Sequence, residues 1–90
     1  MEQFTTRELK RNIADAKKAT YNDPASYGRH GTKLLESVEE FLMAIGNVED
    51  FLDDHPGEEF TREQINNIAR HNADEWWCAC KVYRAMVGLQ

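Results

Sequence analysis

Apolar side chains fall at helical spacing in three stretches of the chain, and the most regular lies in the middle. From Lys33 to about Asp54, Leu34, Val38, Phe41, Ile45, Val48 and Leu52 recur at intervals of 4, 3, 4, 3 and 4. Such a seam holds one side of a helix inward. Leu35, Leu42 and Phe51 widen the stripe on both sides, enough to serve two neighbours, so this segment is the expected central helix of a bundle. Gly46-Asn47 is its weak point: a glycine costs up to ~1 kcal/mol against alanine inside a helix and leaves a kink or break open. Asp53-Asp54-His55-Pro56-Gly57 ends the element.

The last stretch, about 62–87, places Ile65, Ala69, Ala73, Trp76, Cys80, Tyr83 and Val87 on one side, flanked by Ile68, Ala79 and Met86. The first, about 6–20, has a thinner face of Leu9, Ile13 and Ala16 with Tyr21 beyond, as expected of an outer layer, and Asn22-Asp23-Pro24 stops it. Both outer helices open with the same grammar. In Phe4-Thr5-Thr6-Arg7-Glu8-Leu9, Thr5 caps, Glu8 reaches back and Phe4 staples to Leu9. Phe60-Thr61-Arg62-Glu63-Gln64-Ile65 repeats the scheme. The shared Thr-Arg-Glu reads as common punctuation rather than an internal repeat. The pattern predicts an all-α, three-helix subunit. Its frame is a long antiparallel hairpin, about 33–54 and 62–87, roughly 33–39 Å long at ~1.5 Å per residue, with a shorter N-terminal helix and scope for homo-oligomerisation.

Ninety residues leave room for one small domain, and a 41% apolar share supports a modest core. The longest apolar run, Phe41-Leu42-Met43-Ala44-Ile45, falls far short of the ~20 residues of a membrane-spanning helix. The N-terminal segment has neither the basic head nor the apolar stretch of a signal peptide, which predicts a cytoplasmic protein. Cys78 and Cys80 form C-x-C without a second pair, and His30, His55 and His71 are scattered, so no structural zinc pattern and no cofactor motif is present. On a helix the two thiols point about 200° apart; reduced thiols, one buried and one partly exposed, are expected.

The net charge of −5 hides a segregation: residues 1–33 sum to +3, 34–63 to −9 and 64–90 to +1. Glu36, Glu39, Glu40, Asp50, Asp53 and Asp54 fall opposite the apolar seam with no lysine at helical spacing, and Met43 lies among them. A solvated outer face is the ordinary reading of such a stripe. An unpaired anionic face with an apolar anchor also suits a basic partner surface. A second candidate contact is Trp77 with Arg70, Lys81 and Arg84 around it, on the side of the last helix expected to miss the core.

Weaker chemistry is present too. The loop with Tyr27, Arg29, His30 and Lys33, two glycines and a helix start capped by Thr32 has the ingredients of a phosphate site, although the order and context are not those of a Walker loop. His71, Glu75 and Cys78 share a helical side at i, i+4 and i+7, but no oxyanion donor or third partner accompanies the thiol. No catalytic motif is found, so an enzyme is not expected. Direct nucleic-acid binding is disfavoured by the anionic stripe, whereas mimicry of nucleic-acid phosphate is not. In size, acidity and helical grammar the chain resembles the small proteins with which bacteriophages disarm host enzymes or defences. That resemblance implies a non-enzymatic protein that inhibits or sequesters a larger cytoplasmic protein, one that itself binds nucleic acid. An oligomeric binder of a phosphate-bearing small ligand such as a nucleotide is the alternative.

Overall fold

In the computed structural model, which describes residues 2–29 and 31–89, the chain is mostly helical. Strand β1 (Gln3–Thr5) leads into helix α1 (Thr6–Asn22), a 3₁₀ turn follows at Pro24–Ser26, and then come α2 (Glu36–Asp53), β2 (Glu59–Thr61), α3 (Arg62–Asn72) and α4 (Trp76–Val87).

Both capping boxes form. The Glu8 amide donates to Thr5 Oγ1 at 3.1 Å and the Thr5 amide to Glu8 Oε1 at 3.2 Å; the Gln64 amide donates to Thr61 Oγ1 at 3.2 Å and the Thr61 amide to Gln64 Oε1 at 2.8 Å. The repeated punctuation does more than start two helices. The residues before each cap pair as a two-stranded antiparallel sheet, with Phe4 opposite Phe60 and Gln3 opposite Thr61. Both phenylalanines are thereby buried beside Leu9 and Ile65 in one core. Arg62 clamps this end: its Nε donates to Glu2 at 2.6 Å, its Nη1 donates to the Tyr83 hydroxyl at 3.3 Å, and its guanidinium lies 5.3 Å from the Phe4 ring centroid.

The central helix is continuous through Gly46. Val38, Phe41, Ile45, Val48 and Leu52 are buried as the seam requires, with Leu42 and Phe51 partly so. It starts three residues later than expected. Leu35, not Thr32, is the N-cap, and Leu34 instead pairs with Tyr27 in an isolated bridge. Helix α1 docks on α2 and α4. Leu9 and Ile13 are fully buried, so α1 is an integral member of the core rather than a thin outer cover.

The expected helix over 62–87 is two helices. Ala73 and Glu75 are extended, at φ −124°, ψ 132° and φ −114°, ψ 145°, and the Asn72 side chain donates to the Ile68 carbonyl at 2.8 Å, closing α3 on itself. The interruption resets the helical phase. Ile65 and Ala69 face the core as expected; in α4 the expected Ala79, Met86 and Val87 are buried and Tyr83 partly so, but Cys78, Val82 and Ala85 are buried with them, outside the expected stripe. The expected inward positions Trp76 and Cys80 are exposed, and Trp77 packs partly against the core. In place of one long second helix, α3 and α4 pack against each other and both pack against α2.

Candidate interaction surface

The seam of α2 fixes what its opposite side shows to solvent. Glu36, Glu39, Glu40, Met43, Asp50, Asp53 and Asp54 are all exposed, with Met43 at 70%. Among the described residues the ion pairs are Lys10–Asp53, Lys17–Glu49 at 3.1 Å and Arg62–Glu2 at 2.6 Å. Asp53 therefore has a basic partner from α1, which the spacing along α2 alone did not suggest. Glu36, Glu39, Glu40, Asp50 and Asp54 have none among the described residues.

The break between α3 and α4 brings a second exposed apolar group to the edge of this face. Trp76, the first residue of α4, is 78% exposed. Two adjoining depressions connect it to Met43. One, of about 120 Å³, is lined by Glu40, Met43, Asn47, Asp74, Glu75 and Cys78 among others. The other, of about 430 Å³, is lined by Arg70, Asp74, Glu75, Trp76 and Cys80 among others. They share Ala73, Asp74 and Glu75, so the extended link is the ridge between the two exposed side chains. Its surroundings are chiefly anionic: Glu40, Asp74 and Glu75, with Arg70 the cation lining the second depression. Cys78 lies beneath. Burial pushes its thiol pKa up, the carboxylate of Glu40 adds to the rise, Lys81 opposes it and Asp74 adds again.

The expected cluster of Trp77, Arg70, Lys81 and Arg84 is divided by the phase reset. Trp77 is partly buried, and Lys81 Nζ sits 5.9 Å from the ring centroids of both Trp77 and Phe41. Arg70 joins Trp76 instead, while Lys81 and Arg84 border a different groove. Trp76 was missed because a continuous helix would have turned it inward.

In the Tyr27–Lys33 loop, two polar groups are engaged within the chain. The Tyr27 hydroxyl donates to the Tyr21 carbonyl at 2.8 Å, and the Gly28 amide is used by the Lys33 carbonyl at 2.7 Å. Arg29 and Lys33 are exposed, and His30 lies outside the described residues. His71, Glu75 and Cys78 lose their common helical side to the break, and among the described residues no three His, Cys, Asp or Glu side chains gather at metal-binding distance. No helix among these residues is long and apolar enough to cross a membrane. Comparison with protein-family models, with characterised proteins and with solved structures found no match.

Proposed function

We propose that this chain is a non-enzymatic interaction protein that docks the outer face of α2 and the α3–α4 link onto a basic surface of a larger protein. The observation that carries the reading is the pairing of two large exposed side chains, Met43 and Trp76, on either side of one ridge with Glu40, Asp74 and Glu75 around them. A few apolar anchors inside a charged rim are the usual energetic layout of a protein interface. The anchors supply affinity, while the carboxylates steer encounter and select a positive partner. A protein surface that otherwise holds nucleic-acid phosphates meets this description, and occupying it inhibits or sequesters that protein.

The experiment is parallel affinity capture from a cell lysate with the wild-type chain, a Met43→Ala/Trp76→Ala chain and a Glu39→Lys/Glu40→Lys chain, each checked for unchanged helicity. A protein retained by the wild type, lost from both variants and released by moderate salt supports the proposal. Equal retention by all three refutes it. With a purified partner, each anchor truncated to alanine is expected to cost about 2 kcal/mol, roughly thirtyfold in Kd.

A further inference from the structure

A second concavity lies apart from the Met43–Trp76 ridge. The C-terminal half of α1, the 3₁₀ turn, the start of α2 and the end of α4 enclose an open groove of about 390 Å³. Ala16, Val38, Phe41 and Ala85, all buried, form its apolar base, and half-exposed Leu89 borders it. The two alanines explain the space, because larger side chains there would fill it. Lys81 and Arg84, three residues apart on α4, stand at its edge, and neither has an ion-pair partner among the described residues. Lys81 is held over the Phe41 and Trp77 rings, which fixes an ammonium beside the apolar base. The one carboxylate in the lining, Asp23, already accepts the Ala25 amide at 2.9 Å as a cap.

We infer that this groove binds a free single-chain fatty-acid anion, its alkyl chain along Ala16, Phe41 and Ala85 and its carboxylate between Lys81 and Arg84. Charge complementarity selects the head group, since the lining carries two cations against one carboxylate and so a net positive charge. The size selects the tail: the volume sits near the small end of ligand pockets, roughly 300–1,000 Å³, which accommodates one medium-length chain and not a two-chain lipid. The site is separate from the proposed docking ridge, so either reading stands or falls without the other.

Calorimetric titration with decanoate below its micelle-forming concentration tests the inference, with decyl maltoside and decyltrimethylammonium as neutral and cationic comparisons. Decanoate is expected to bind one to one, at least tenfold more tightly than either comparison. Lys81→Met/Arg84→Met is expected to weaken decanoate at least tenfold. Ala19→Trp, an exposed α1 position at the groove wall, is expected to block it while circular dichroism stays unchanged. Equal binding of decyl maltoside, binding of decanoate unaffected by both variants, or capture of the chain by phosphatidylglycerol vesicles without any binding of free decanoate would each overturn the proposal.

Discussion

Adjacent tryptophans that part company across a helix boundary can be told apart by truncation. Trp77 packs on the core beneath Lys81, whereas Trp76 is 78% exposed. A tryptophan buries 150–250 Å² when fully inside. Allowing about 100 Å² of apolar area lost at Trp77→Ala, and about 25 cal/mol per Å², gives about 2.5 kcal/mol. In a domain of this size that lowers Tm by roughly 10–20 °C. Trp76→Ala removes little buried area and is expected to stay within about 0.5 kcal/mol of wild type. Urea unfolding followed by circular dichroism at 222 nm measures both without relying on the fluorophores being removed. Equal costs, or a larger cost at Trp76, would refute the phase reset at Ala73–Glu75 and restore one continuous helix over 62–87.

Two glycines are expected to respond in opposite senses to alanine. Gly46 lies inside α2 with nothing within 4 Å of an added Cβ, so Gly46→Ala should stabilise by about 0.5–1 kcal/mol, whereas Gly57, at φ 73°, should lose about 1–2 kcal/mol; thermal melts decide the signs. The thiols should differ in reactivity: iodoacetamide at pH 8 is expected to label exposed Cys80 and spare buried Cys78, giving one adduct in the native chain and two after denaturation by mass spectrometry. The raised Cys78 pKa also sets a sign. Its contribution is present below the ordinary thiol pKa of about 8.5 and is lost as pH climbs through the raised folded value, so wild-type stability should fall more steeply above pH 8.5 than that of Cys78→Ala; parallel curves would contradict this.

The parts of the fold legible beforehand were those in which local chemistry and periodicity agree. Thr5 with Glu8 and Thr61 with Gln64 announce helix starts because a side-chain oxygen three residues away completes each cap. The 4-3 seam of α2 announces which carboxylates face out, since burying Ile45, Val48 and Leu52 leaves Glu39, Glu40 and Asp50 no other direction. What escaped was the break at Ala73-Asp74-Glu75, which contains neither proline nor glycine. The available signals were Asn72, whose amide competes for the helix's own carbonyls, the two acids standing before Trp76 as they do before many helix starts, and the separate spacing of Cys78, Val82 and Ala85. Because that break carries Trp76 outward, the second exposed apolar side chain of the proposed docking ridge was hidden with it. The small sheet escaped for another reason: pairing Phe4 with Phe60 joins segments 56 positions apart, and nothing local in either segment reports the other.

The proposed docking ridge is tested most directly by where the chain touches its partner. A photo-crosslinking residue placed in turn at Met43, at Trp76 and at Ala14, an exposed position on α1, reports contact within a few ångströms of each. Covalent capture of one partner from positions 43 and 76, and none from 14, is the expected result. Capture from position 14 alone would place the contact on α1 and contradict the role given to α2 and the α3–α4 link.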